Sequence, residues 1–239
     1  MPKSTTARQS PPRSRARAAA AGTAAESRTE SRAIRENTLN QARRALILDA
    51  ARSAFFELGL DGASLREIAK RAGYTPGAIY SYFANLEEIY GALLGESLQR
   101  LNGVVDAAGA DAAGPVELLR AKATAFYVFY RDNPKELDLG FYLFDGVKPR
   151  GLTPELNQQL NERLMAALRP VEQQLKTLGL DADEAVAETT AAFAHIVGVL
   201  VLNNTGRIRL FRQNPDALFE RYMDSLVRRL SASLRCVRG

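Results

Sequence analysis

The sequence predicts an all-α protein, with a small three-helix N-terminal domain, a larger helical C-terminal domain and a basic tail in front. Three observations carry this. Beyond residue 38 apolar residues recur three and four apart, with no convincing period-two run. Capping signatures stand at Ser64-Leu-Arg-Glu67 and Asn85-Leu-Glu-Glu88. Glycine or proline punctuates the periodic segments at Gly59, Gly73, Pro76, Pro115 and Pro134. The expected divisions are a tail over 1–38, the small domain over 39–92 and the large one over 93–239.

The tail is expected to be disordered. It is rich in Ala, Arg, Ser, Thr and Pro and has almost no large apolar residues, so it cannot bury enough surface to offset chain entropy. It lacks the apolar core of a secretory leader. It is Arg-rich like a transit peptide, but a plain basic tail is the simpler reading. Residues 1–44 hold ten Lys/Arg and three Glu, a net +7, while the remaining 22 basic and 24 acidic residues sum to −2. Such a tail suits nucleic acid or an anionic membrane surface. No run of about 18 apolar residues occurs, so no membrane span is expected. The single cysteine, Cys236, permits no internal disulfide, and a cytoplasmic location is expected.

The first helix is expected over 39–58, ending at Gly59, with Ile47, Ala50, Ala51, Ala54 and Phe55 on one side. Ser64 and Glu67 form a capping box that opens a second helix carrying Leu65, Ile68 and Ala69 and stopping near Gly73. Thr75 caps a third, with Pro76 in its first turn, where a missing N–H does no harm. Asn85 and Glu88 open a fourth. Longer helices follow from Pro115 to Asp132, over 134–144, from Thr153 with an internal Pro170 expected to kink or divide it, over 181–203 and over 214–234.

Gly73 permits a sharp left-handed turn, and Thr75-Pro76 restarts a helix within three residues. Two short helices joined that tightly make a helix-turn-helix. Pro76, Gly77 and Ala78 are small, so the start of the third helix can press against a DNA groove. Tyr80 and Tyr82, with Ser81 between them, offer hydroxyls for phosphate oxygens. Ser64 and Thr75 place helix N-termini where phosphates can sit. The alternative is that the two tyrosines are half-buried core rings.

Residues 47–90 carry a specific pattern: Ile47-Leu48-x-Ala50-Ala51, the Phe and Gly closing the first helix, Ser64-x-x-x-Ile68-Ala69, Ala72-Gly73 and Tyr80-x-x-Phe83. This segment closely resembles the DNA-binding domain of the TetR/AcrR family of bacterial transcriptional regulators. The resemblance implies that Arg66 reads a base edge, that Pro76, Gly77 and Ala78 lie near the bases, and that Tyr80 and Tyr82 contact phosphates. Leu86 departs from the lysine usual in the family, which removes one phosphate contact. Arg43, Arg44 or the basic tail are candidates to replace it.

The resemblance further implies a homodimer on a palindromic double-stranded DNA operator. The C-terminal domain would then bind a small-molecule effector and dimerise. The candidate interface is Ala191, Ala192, Val199, Leu218, Tyr222 and Leu226, although the same side chains can fill their own core. Candidate pocket residues are Phe126, Tyr127, Tyr130, Phe141, Tyr142 and His195. With Phe129 and Phe144, the aromatic group holds seven of the 18 Phe and Tyr residues, which points to an apolar or aromatic ligand. The expected function is repression released by that ligand. The alternative is an activator or architectural DNA-binding protein without the switch.

Nothing supports catalysis. The one His and one Cys make no metal site, no catalytic residue or cofactor is expected, and no Gly-rich phosphate loop, HExxH or GxSxG occurs.

Overall fold

The computed structural model of the chain describes residues 13–141, 144–145, 148–149 and 152–237, with side chains over 30, 32–59, 62–140 and 152–232. The elements are α1 (Arg13–Gly62), α2 (Leu65–Ala72), α3 (Pro76–Ile79), α4 (Leu86–Ala107), α5 (Pro115–Asp132), α6 (Pro134–Phe141), β1 (Phe144–Asp145), β2 (Lys148–Pro149), α7 (Pro154–Thr177), α8 (Ala182–Asn204), a 3₁₀ turn (Arg207–Phe211) and α9 (Pro215–Val237). The all-α expectation holds, apart from an antiparallel ladder in which Phe144 pairs with Pro149 and Asp145 with Lys148. The sixth helix ends at Phe141, short of the expected residue 144.

The N-terminal segment differs from the sequence expectation. Residues 1–12 lie outside the described residues, and from Arg13 the chain is helical, where disorder was expected through residue 38. Residues 32–46 are all exposed, and among them only Arg43 and Arg44, at the end nearest the head, meet side chains of the head. The physical reason is propagation. The buried part of α1 from Ile47 onward supplies the nucleus, and Ala- and Arg-rich residues extend a helix cheaply once one exists. At the other end, Gly59 breaks the helical dihedrals at φ 70°, ψ 178°, where the sequence places the end of the first helix.

Ile47, Ala51, Ala54 and Phe55 of α1 meet Ile68 and Ala69 of α2 and Ile79 and Phe83 around α3 in the core of the small domain, the head. Helix α4 leaves this head and enters the larger body. Its first turns bury Ile89 and Tyr90, and the Tyr90 ring meets Phe55 edge-on, 6.0 Å between centroids. Its later turns bury Leu93, Leu94, Leu98, Leu101 and Val105 among α5, α6 and α7. Helices α4 and α7 approach so closely at Gly91 that a Cβ there would stand 2.5 Å from Leu156 Cδ2. A larger residue at that position would have to push the Leu156 side chain aside.

Helix α7 is a single helix through Pro170, so of the expected kink or division the division does not occur; Ala167, Leu168, Val171 and Leu175 are buried on both sides of the proline. Helix α8 is long and apolar enough by composition to cross a membrane, which the sequence reading did not anticipate. Here it buries one side, Ala185, Thr189, Ala192, Ile196, Val199 and Leu200, against its neighbours. Helix α9 closes the body. Phe219 stacks flat on Tyr127 at 4.3 Å, and Asp216 accepts hydrogen bonds from the Tyr127 hydroxyl at 2.8 Å and the Arg131 guanidinium at 3.1 Å.

Candidate nucleic-acid interface

The expected motif forms at α2 and α3. Ser64 caps α2, its Oγ accepting from the Glu67 N–H at 3.2 Å. Only half of the expected capping box is present, because the Glu67 carboxylate turns instead to Arg71 Nε at 2.8 Å. Helix α2 stops at Gly73, which is left-handed at φ 73°, ψ 25°, so that the Tyr74 N–H reaches back to the Ala69 carbonyl at 2.8 Å. Thr75 then caps α3 through the Ala78 N–H at 3.3 Å. Beyond Ile79 the chain continues in tight turns, with Tyr82 and Phe83 N–H groups both bonding to the Ile79 carbonyl. Ile79 and Phe83 are buried, and this pins the motif to the head.

What remains outside matches the sequence reading closely. Ser64, Arg66, Thr75, Pro76, Gly77 and Ser81 are exposed, and Ala78 and Tyr82 are half-buried. Tyr80 is 58% exposed, which sets aside the alternative that it is a core ring; Tyr82 keeps part of that character, packing against the core. A Cβ on Gly77 would meet nothing within 4 Å, so the start of α3 faces open space.

The cations of the head divide into two sorts. Arg71 is consumed internally, bonding Glu67, Glu57 and Ser53 Oγ at 2.8 Å each, and so ties α2 to α1. Glu57 is held below the usual carboxylate range by Ser53 and then Arg71, and Glu67 by Arg71. The sequence reading missed this role; the Glu67–Arg71 spacing of four was its signal. Arg66 and Lys70, by contrast, are exposed and make no hydrogen bond or ion pair among the described residues. Of the candidate substitutes for the missing lysine, Arg44 lies over the Phe83 ring at 4.3 Å. Arg43 donates toward the Tyr82 hydroxyl, and that contact raises its pKa. Leu86 itself packs against the core.

Residues 47–93 match the family "Bacterial regulatory proteins, tetR family", and residues 119–226 match "Tetracyclin repressor-like, C-terminal domain". The chain belongs to the TetR family. The HTH-type transcriptional repressor Rv1474c of Mycobacterium tuberculosis is 37% identical over 68 residues, which are 28% of this chain and 36% of that protein. The match thus spans about a third of the relative's length. Two solved structures share the fold. One is a tetR-family regulatory protein from Rhodococcus RHA1, with a TM-score of 0.59 and 22% identity, covering 78% of this chain and 95% of that one. The other is the transcriptional regulator FadR from Bacillus subtilis in complex with stearoyl-CoA, with a TM-score of 0.56 and 22% identity, covering 77% and 97%.

The C-terminal candidates of this TetR-family chain need correction. Phe126, Tyr127 and Tyr130 are buried core side chains. Phe126 packs edge-on to Tyr130 at 5.3 Å and Phe193 at 5.9 Å, so these rings fill space where a pocket was expected. Tyr142 and the side chain of Phe141 lie outside the described residues. His195 stacks on Tyr222 at 4.3 Å and its Nε2 is 3.3 Å from the Leu218 carbonyl, an internal contact between α8 and α9. Burial holds its pKa below the ordinary value, and that of Tyr222 is pushed up to about 12, first by burial.

Of the interface candidates, Ala192, Val199 and Leu226 are buried within the single chain, out of reach of a partner. Ala191 is exposed, and Leu218 and Tyr222 are half-buried. The helical repeat explains the difference, because the outward side of α8 is offset from Ala192 and Val199 and carries Val186, Thr190, Ala191, Ala194, Gly198 and Val201. Among the described residues, no group of three or more His, Cys, Asp and Glu is placed to hold a metal ion.

Proposed function

We propose that the protein is a sequence-specific DNA-binding transcriptional repressor that acts as a homodimer on a palindromic operator. The observation that carries this is the exposed surface of α2 and α3. A capped, glycine-turned motif leaves Arg66, the small start of α3 and Tyr80 open to solvent, while Ile68, Ala69, Ile79 and Phe83 anchor it from within. Arg66 suits a guanine edge, and the α3 N-terminus and tyrosines suit phosphates. Repression is supported by the likeness to the Mycobacterium repressor. Dimerisation is supported by the outward side of α8, which carries no charged side chain from Val186 to Val201 apart from half-buried Glu188 and His195.

Release by a small apolar or aromatic ligand belongs to the same proposal. In this structure the aromatic interior is closed, so a ligand must part Phe126 from Phe193, or Tyr127 from Phe219, before it can enter. The closed packing also favours a second reading, a regulator without a small-molecule switch.

Anisotropy titration at about 0.15 M salt tests both, with the DNA upstream of the coding sequence against scrambled DNA; specific binding of this kind is typically at least about 10³-fold tighter. Equal, weak binding to both DNAs argues against the regulator reading. Release from the upstream DNA by an acyl-CoA or aromatic-acid panel supports the switch, and binding that no member of the panel weakens supports the second reading.

A further inference from the structure

The exposed N-terminal part of α1 has no structural task inside the chain. Residues 32–42 touch no core, yet the helix runs without a break from Arg13 into the head. Its charge is ordered. At about 100° per residue, Arg32, Arg35 and Arg43 fall within an arc of about 80°. Glu36 stands about 20° outside that arc, and Glu30 falls on the opposite side. Arg32 and Arg35 are exposed and make no hydrogen bond or ion pair among the described residues. The stripe ends at Arg43, beside the Tyr82 hydroxyl of the recognition segment.

We infer that this stripe is a second DNA-contacting element, which follows the phosphate backbone outward from the recognition helix and lengthens the footprint beyond the operator core. The inference rests on the DNA-binding reading above. From Arg32 to Arg43 the helix rises about 17 Å, equal to about 5 base pairs of duplex. Contiguity with Tyr82 decides between the two anionic partners that a basic helix suits. A phosphate chain already lying on Tyr80 and Tyr82 runs directly on to Arg43, whereas a membrane surface has no such starting point. The arginines contact phosphates, so the gain is independent of flanking sequence.

The test begins with selection of a binding site from a random duplex library by the full chain. That site is then placed in two duplexes, one trimmed to the core and one with about 15 flanking base pairs on each side. Affinity is measured against salt for the full chain and for the Arg32→Gln/Arg35→Gln double variant. Both residues are exposed, so the variant keeps its fold, which circular dichroism checks. On the long duplex the variant should lower the slope of log K against log salt by about 0.9 per arginine removed. On the trimmed duplex the two proteins should bind alike. Equal slopes on both duplexes overturn the inference. So do equal slopes accompanied by variant-sensitive binding to phosphatidylglycerol vesicles, which assign the stripe to membranes. A library from which no site is selected overturns the DNA-binding reading and this one with it, whereas a selected site with equal slopes overturns this one alone.

Discussion

The hydroxyl of Tyr90 donates to the backbone carbonyl of Leu139 and so ties the first turns of α4 to the end of α6. The same ring packs against Phe55 of the head, while Lys135 Nζ donates to the Phe56 carbonyl at 3.2 Å and Arg52 meets Glu96 at 2.6 Å. Head and body are therefore joined by buried and half-buried polar contacts as well as by the continuous α4. Tyr90→Phe keeps the ring and leaves the Leu139 carbonyl without its partner. Stability should fall by about 1–3 kcal/mol, and Tm by about 2–4 °C for each kcal/mol in a chain of this size. Calorimetry checks it; an unchanged Tm would mean that the bond contributes nothing.

Arg66 and Tyr80 are exposed and make no contact on which the core depends. Alanine at either should change stability by no more than about 0.5 kcal/mol. For Arg66→Ala the loss of a bidentate base contact should weaken specific binding by about 1–3 kcal/mol, measured as anisotropy on specific against scrambled DNA.

Thr75 holds a helix of only four residues by a single cap. Thr75→Ala should cost about 1 kcal/mol of stability. It should also weaken DNA binding, although the residue is one hydroxyl among several on the surface, because the start of α3 loses its fixed geometry. Parallel urea titration and anisotropy separate the two effects.

His195 gives a pH dependence of known sign. Burial lowers its folded-state pKa below 6.5, against the smaller opposing effect of the Leu218 carbonyl, so the unfolded chain binds the proton more readily. The stability it contributes is present above pH 6.5 and is lost as the pH falls toward the lower, folded value. Tm should therefore drop on acidification from pH 7.5 to below 6, and His195→Gln should reduce that drop. Thermal scans of both proteins across the range decide it.

Gly198 and Ala194 lie on the outward side of α8, where a Cβ on Gly198 would meet nothing within 4 Å. Ala194→Arg should leave the monomer folded and weaken self-association at least about tenfold, since a charge at the centre of an apolar contact must be desolvated. Sedimentation velocity over a range of concentrations reads this directly.

The head was legible because its signals are local. Ser64, Gly73, Thr75, Pro76 and Asn85 each dictate backbone geometry within three or four residues, and each does so in the structure. The exposure of Arg66 and Tyr80 was legible for the same reason. The body was less so. Whether Phe126 lines a cavity or meets Phe193, 67 residues on, depends on how helices distant in sequence dock. Helical spacing shows that Ala192 and Ala191 lie on α8, but not which of them faces inward. The long reach of α1 was missed because composition alone cannot see that a folded helix stands next to the tail and seeds it.

Gly91 has a consequence for motion. At Gly91 the Leu156 side chain of α7 packs directly onto α4, so a displacement of α7 is passed to α4 through that contact. Helix α4 has 22 residues, about 33 Å of stiff rod, with its first turns seated in the head and the rest in the body. It is a lever. A tilt of about 5° at one end sweeps the other through about 3 Å over that length. That is comparable to the separation between hydrogen-bonded atoms, and so enough to break a hydrogen bond made from the head. The absence of a methyl group at one position thus gears the interior of the body to the reading head.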